Sequence, residues 1–314
     1  MKRIVVIGSL NADLVIRLQR FPGPGETVAG RDFKVFCGGK GANQACGAAR
    51  LGGEVSMIGQ VGNDAHGDLL IENLAAAGVD VAHIFRAADV STGVAAITID
   101  AAGENQIVVV PGANGSFGEE QLQRSRDLIA SAGIVLLQLE IPLQTVRIAA
   151  RLAKAAGALV MLDPAPAQPL PEELLGSVDY LTPNESELGI LTGTAAENFS
   201  RAVAAQKAGE LRKRGVRKVL VKMGSQGALL VDGQQETFWR ALPVSAVDTT
   251  AAGDAFNAAF AYALASGQSE LDAGRFATAA AAYSVTRAGA QPSMPTRAEV
   301  ESLSATPQIR REVE

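Results

Sequence analysis

The sequence predicts an α/β fold: a three-layer αβα core on a mainly parallel, doubly wound sheet, with a small antiparallel β lid. Three observations carry this. Short apolar runs alternate with Ala-rich or amphipathic stretches of helical length along most of the chain. Two segments, Asp13–Phe36 and Ser91–Val110, break that rhythm with half-buried strands of antiparallel character. Polar clusters at Asn11, Glu140, Asp163, Asn184, Lys222 and Asp248 each follow a strand, where open α/β sheets bind ligands.

Arg3 to Ser9 reads as a strand buried on both faces. Asp13 to Leu18 alternates, Phe21-Pro22-Gly23-Pro24-Gly25-Glu26 is a turn cluster, and Thr27 to Phe36 is a second strand. Cys37-Gly38-Gly39-Lys40-Gly41-Ala42-Asn43-Gln44 opens a helix of small residues reaching about Leu51. Glu54–Gly59 is a strand, and Asp64–Ala77 is a helix ended by Gly78. Ser91–Asp100 and Gln106–Val110 form a hairpin around residues 101–105. The βα rhythm then resumes, with a helix at Glu119–Ala130, strand Ile134–Leu139, helix Leu143–Ala156 and strand Leu159–Asp163. After a Pro-rich loop come strand Tyr180–Leu181, a helix from Asn184, and a long helix at Ser200–Arg214. Val219–Lys222 and Ala228–Val231 are strands, and Glu236–Val247 is extended. Two helices, Gly253–Ala265 and Leu271–Thr286, close the chain. The expected organisation is one domain over 1–314, with the lid made from about 12–36 and 91–111.

Composition narrows the function. A chain of 314 residues can hold one large α/β domain. A net charge of −5 without a basic block argues against nucleic acid as partner. No apolar run has membrane-spanning length, and Met1-Lys2-Arg3 leads straight into a strand rather than a signal peptide. The two cysteines, Cys37 and Cys46, fit no disulfide or metal framework, which points to a cytoplasmic setting. With only two histidines, His66 and His83, neither a His-based triad nor a multi-His metal site has support.

The stretch Asp248-Thr249-Thr250-Ala251-Ala252-Gly253-Asp254-Ala255-Phe256-Asn257 concentrates the chemistry. It runs from a strand end through a small-residue turn into an Ala-rich helix, where free amides and the helix dipole favour an anion. Asp254 is then either a catalytic base beside that anion or simply a favourable first-turn acid. The usual phosphate fingerprints are missing: Gly39-Lys40 is followed by Gly41 rather than Ser or Thr, and no GxGxxG follows a strand. This disfavours a P-loop NTPase and a Rossmann dehydrogenase.

Taken in order, Asn11-x-Asp13, GGKGANQA from Gly38, Gln138-x-Glu140, Asn184-x-x-Glu187, Gly224-Ser225-x-Gly227, DTTAAGDAFN from Asp248 and GAQPS from Gly289 resemble the ribokinase-like PfkB sugar-kinase family over nearly the full length. The resemblance implies ATP-dependent phosphorylation of the 5-hydroxyl of D-ribose. It implies that Asp254 is the base and that Ala251, Ala252 and Gly253 form an anion hole at 251–254. Asn11, Asp13, Gly39, Lys40, Gly41, Asn43 and Glu140 would bind sugar. Asn184, Glu187, Lys222, Gly224, Ser225, Gly227, Gly253 and Thr278 would serve ATP and Mg²⁺. Asp248, Thr250, Ser284, Arg287, Gly289 and Ser293 would ligate K⁺, Arg287 through its carbonyl alone. A homodimer through the lid is implied as well.

Duller readings stand beside these roles. Asn43 suits a helix start, Asp13 a turn, Glu140 the start of the next helix, and Asn184-x-x-Glu187 a helix cap. Lys222–Gly227 reads equally as a β-turn, and Thr278 as a plain helix residue. Two other functions remain open: a related kinase for fructose, deoxyribose or a nucleoside, and a non-catalytic sugar-binding regulator. The intact Gly253-Asp254 pair speaks against the regulator.

Overall fold

The computed structural model describes residues 1–193, 199–233 and 235–305. Its strands are β1 (Ile4–Ile7), β2 (Asn11–Leu18), β3 (Gly30–Gly38), β4 (Val55–Gly62), β5 (Asp80–Ala87), β6 (Gly93–Ile99), β7 (Asn105–Val110), β8 (Ile134–Leu137), β9 (Leu159–Leu162), β10 (Tyr180–Leu181), β11 (Lys218–Lys222), β12 (Gly227–Asp232) and β13 (Gln235–Arg240). Its helices are α1 (Lys40–Arg50), α2 (Ala65–Ala76), α3 (Ala113–Ser116), α4 (Glu119–Arg124), α5 (Arg126–Ser131), α6 (Leu143–Ala155), α7 (Glu172–Leu175), α8 (Glu185–Thr192), α9 (Arg201–Lys213), α10 (Ala252–Ala265), α11 (Glu270–Ser284) and α12 (Arg297–Ser304).

A nine-stranded sheet runs β13-β12-β11-β10-β9-β8-β1-β4-β5. It is parallel from β11 through β5, and β12 and β13 add antiparallel pairs at one edge. Strand β1 explains the layering. All four of its residues are fully buried, and side-chain alternation sends them to opposite faces. Val5 and Ile7 join a core with residues of α6, α8 and α9, whereas Ile4 and Val6 join one with α1, α10 and α11. Since β1 lies between β4 and β8, the chain winds in opposite directions from it, and a crevice opens at its carboxyl end. Helix α10 packs on α1 over that crevice.

A second sheet of four strands, β3-β2-β6-β7, springs from the same end. Both excursions predicted from the broken rhythm contribute to it. Its outer pairings, β2–β3 and β6–β7, are antiparallel as expected, but the central pairing of β2 with β6 is parallel. The two excursions leave the core in the same direction, so their first strands meet side by side. Buried polar contacts fix its roots. Asp64 caps α2 and accepts from the amide and hydroxyl of Thr92 at 2.7 and 2.6 Å. Asn114 bonds both the amide and the carbonyl of Leu10 at 2.9 Å, and the Asn11 side chain at 2.8 Å.

Some sequence expectations need correction. The helix expected at Glu119–Ala130 is two short helices that meet at Ser125, a buried residue bonded to the His83 ring. The edge strand β5 was not foreseen, because Asp80–Ala87 mixes polar and apolar residues without clean alternation. The chain does not close on two helices: α12 follows, with a capping box between Thr296 and Glu299. The segment predicted as extended to Val247 is a strand only to Arg240. Among the described residues no helix is long and apolar enough to cross a membrane.

Candidate active site

Asp254 is the third residue of α10, buried to 4 % exposure at the closed end of the crevice. Two amides from α1 hold its carboxylate: Asn43 Nδ2 donates to Oδ2 and Gln44 Nε2 to Oδ1, each at 3.0 Å. The Gln44 nitrogen also donates to Asp163 Oδ2 at 3.0 Å, and Gln138 Nε2 donates to Gln44 Oε1 at 2.8 Å. Gln138 thus fixes which end of the Gln44 amide faces the acids. Lys222 Nζ completes the chain with a 2.9 Å ion pair to Asp163 Oδ1.

The dipole at the start of α10 favours an ionised Asp254. Burial works against this and holds its carboxyl above the ordinary range. Lys40 and the two amide bonds pull it back down, and the charge of Asp163 pushes it further up. Lys40 is the counter-ion. Burial would favour loss of its proton, but Asp254, Asp163, Glu140 and Glu187 surround it and hold the ammonium charged.

The residues expected to bind sugar lie on the side of the crevice beneath the small sheet. Gly39 leads into α1 with φ of 87°, and a Cβ there would lie 2.7 Å from the Asn11 amide. Only glycine allows this approach. Glu140 did not prove a simple helix start. Its Oε2 accepts from the Lys40 amide at 2.9 Å and from the Ser9 hydroxyl, and so caps α1 from across the sheet. Asp13 faces Glu140 and Asp254, and burial together with those charges pushes its carboxyl up to about 7. Asn11 is buried and held by Asn114.

At the start of α10 the backbone turns sharply. Ala251 has φ of 59° and is the one non-glycine with positive φ among the described residues. Such a conformation costs roughly 1 kcal/mol for alanine. The amides of Ala251, Gly253 and Asp254 meet no acceptor among the described residues, as expected of a first helical turn. Ala252 differs from the expectation, because its amide donates to Thr249 O at 3.3 Å.

Among the residues expected to serve ATP, Asn184 and Glu187 form a reciprocal capping box on α8, with both bonds at 2.8 Å. The cap reading is therefore correct, yet Glu187 also faces the site. Burial raises its carboxyl, Lys222 lowers it, and Asp163 raises it again. Gly224, Ser225 and Gly227 belong to a turn joining β11 to β12, with Gly224 and Ser225 exposed at the sheet's edge. Thr278 is buried in α11 and donates to Gly274 O, so its hydroxyl stays on its own helix.

Asp248 ties together two of the other proposed cation residues, Thr250 and Gly289. Its Oδ1 accepts from the Thr250 amide at 2.9 Å and its Oδ2 from the Gly289 amide at 2.8 Å. Burial would raise this carboxyl, but these bonds outweigh it and set it below the usual range. Ser284 and Ser293 are fully buried close by in sequence. The Arg287 guanidinium lies 4.6 Å above the Tyr283 ring and 3.2 Å from Glu299, which leaves its carbonyl as the only group it could offer.

Sequence reasoning gave no role to Ser9, Gln44, Asn114, Gln138 or Asp163. Asp163 and Gln138 were visible as polar residues at strand ends. Gln44 stood inside the GGKGANQA motif without a role of its own, and Asn114 had no signal.

A buried carboxylate beside unpaired first-turn amides, facing a polar crevice under a small sheet, is suited to taking a proton from a hydroxyl next to a bound anion. Comparison with known proteins narrows that chemistry. Residues 1–297 match the model of the pfkB family of carbohydrate kinases. A ribokinase of Haemophilus influenzae is 43 % identical over 298 residues, covering 95 % of this chain and 97 % of its own. The structure of Arabidopsis thaliana ribokinase complexed with ribose and ATP superimposes with a TM-score of 0.92 at 40 % identity, covering 97 % of this chain and 99 % of that one. A Salmonella typhi deoxyribokinase is 39 % identical over 294 residues, covering 93 % and 95 %. The chain belongs to the pfkB carbohydrate kinase family.

Proposed function

We propose that this enzyme transfers the γ-phosphoryl group of ATP to the 5-hydroxyl of D-ribose, giving D-ribose 5-phosphate and ADP. The observation that carries the reading is the Asp254 carboxylate, buried at the start of α10 and gripped by Asn43 and Gln44. Asp254 accepts the proton as the sugar oxygen attacks. A carboxyl raised by burial is a better base than a solvated one. The amides at 251–254 receive charge on the transferred group, with Gly253 and Asp254 better placed than the internally bonded Ala252. Asn11, Asp13, Gly39, Lys40, Gly41, Asn43 and Glu140 orient the sugar from the other side. The four-stranded sheet acts as a lid that excludes water.

The site contains Asp13, Glu140, Asp163, Glu187 and Asp254 against Lys40 and Lys222. That excess of acid repels a polyphosphate, so the fit favours ATP delivered with Mg²⁺. Among the described residues no three metal-ligating side chains converge. Glu187 and Asn184 would therefore hold the ion through water. When bound, Mg²⁺ neutralises charge on the phosphate oxygens. The oxygen-rich loop around Asp248, Thr250, Ser284, Arg287, Gly289 and Ser293 suits K⁺, and tying that loop to residue 250 steadies the anion turn. Exposed Ile107, Val108, Val109 and Val110 on β7, with Phe33 on β3, support a homodimer through the lid. Cys37 and Cys46, both unpaired, accord with a cytoplasmic enzyme.

The likeness to a deoxyribokinase keeps a second reading, in which the sugar lacks one hydroxyl. A panel of ribose, deoxyribose, fructose and nucleosides, assayed by ADP release with ATP and Mg²⁺, separates them. Ribose should give the highest kcat/KM. A better rate with any other sugar overturns the substrate assignment, and ADP release independent of sugar overturns the kinase reading.

A further inference from the structure

Lys222 ends β11 with its side chain only 13 % exposed, and its partner Asp163 is 2 % exposed. The pair does not merely fill space. A Cβ placed on Gly253 would lie 3.2 Å from Lys222 Nζ, so the ammonium rests against the face of the anion turn. Asp163 holds it there through Oδ1, and Oδ2 is anchored by Gln44, the amide that also grips Asp254. One buried chain of bonds therefore links the base to a positive charge on the far side of the turn. Lys40, the other cation of the site, is tied by its backbone to Glu140 on the sugar side and shares its charge among four acids.

Building on the kinase reading, we propose that Lys222 is a catalytic residue for phosphoryl transfer, contacting the transferred phosphoryl group at the turn, and that Asp163 is its positioning residue. In the step, the sugar oxygen forms a bond to the γ-phosphorus and its proton goes to Asp254. The bond from that phosphorus to the bridging oxygen breaks, and its electron pair leaves with ADP. Lys222 gives up no proton. It offsets charge spread over the oxygens in flight, which a fixed ammonium does without reorganisation. Lys222 is thus set apart from a residue that only holds ATP: its effect falls on kcat rather than on ground-state affinity.

Lys222→Met should lower kcat about 100-fold while KM for ATP and the Kd for ADP stay within about threefold. Lys222→Arg should keep more activity than Lys222→Met. Removing one partner leaves Asp163 buried without its counter-ion, so Lys222→Met should also lose stability. The double variant Lys222→Met/Asp163→Asn removes both charges and keeps the assay readable. It should fold, by thermal melt, and remain as slow as the single variant. ADP with aluminium fluoride and ribose, a mimic of the group in transfer, should bind both variants far more weakly than wild type. Three outcomes overturn the proposal: a Lys222→Met kcat within fivefold of wild type, a loss confined to KM for ATP, or recovery of kcat in the double variant. Wild type without ribose-dependent ADP release would instead defeat the kinase reading itself, and this proposal with it.

Discussion

Asn43 Nδ2 donates to Asp254 Oδ2 at 3.0 Å, joining the fourth residue of α1 to the third of α10 across 211 positions of sequence. The contact ties Asp254, the proposed base, to the helix that carries the proposed sugar-binding residues. Replacing Asp254 by Asn should lower kcat by about 10²- to 10⁴-fold, since proton removal is lost. It also sets an amide N–H against Asn43 or Gln44, at a cost of about 1–3 kcal/mol. Steady-state ADP release and a melting curve test both parts, and near-normal turnover would refute Asp254 as the base.

The pH profile follows from the burial of Asp254. The base must be ionised to act, so kcat/KM should fall on the acid side, with an inflection above the ordinary carboxylate range. Lys40 lowers that carboxyl, so Lys40→Met should move the inflection to higher pH. An unmoved acid limb in Lys40→Met would show that another group controls it.

Asp13 should trade stability for binding. Its carboxyl titrates at about 7 in the fold against 3.8 in an exposed reference, so between those values the native state binds the extra proton and stability declines as pH rises. Asp13→Asn should therefore melt higher than wild type at pH 8, by a few degrees for roughly 1–2 kcal/mol, and show no advantage near pH 4. Its KM for ribose should rise. Equal melting temperatures at pH 8 would count against the burial of that charge.

The proposed potassium dependence rests on Asp248. Wild type should turn over faster in potassium than in sodium or choline buffer, and Asp248→Ala should be slow in all three. The variant frees Gly289 and Thr250 together, because one carboxylate holds both amides. A wild type indifferent to the cation would sink the idea.

The lid's outer face should bind a second copy. Val108 on β7 is 64 % exposed, among neighbours nearly as exposed. Light scattering at micromolar concentration should give a dimer for wild type and a monomer for Val108→Asp. A monomeric wild type would contradict the assignment.

Much of the fold was written in periodicity. β1, β8 and β9 are apolar runs whose burial on both faces leaves few alternatives. β5 and α12 were illegible for lack of pattern, although Thr296-x-x-Glu299 did spell a cap. The parallel pairing of β2 with β6 depends on how two distant segments leave the core, which no local pattern encodes. In the site, glycines and acids announced themselves by type and place. Gln44 and Gln138 stood inside recognised motifs, but their bonds, like those of Asn114, reach residues 94 to 210 positions away, which the local sequence does not specify.

The seating of α10 on α1 also orders events during synthesis. Residues 43 and 254 lie 211 apart, so a ribosome adding roughly 5–20 residues per second makes Asn43 about 10–40 s before Asp254. The nascent chain then has a half-built crevice with Asn43 and Gln44 lacking their carboxylate. If Asp254 is the base, the site is complete only once the helix that carries it has docked on α1.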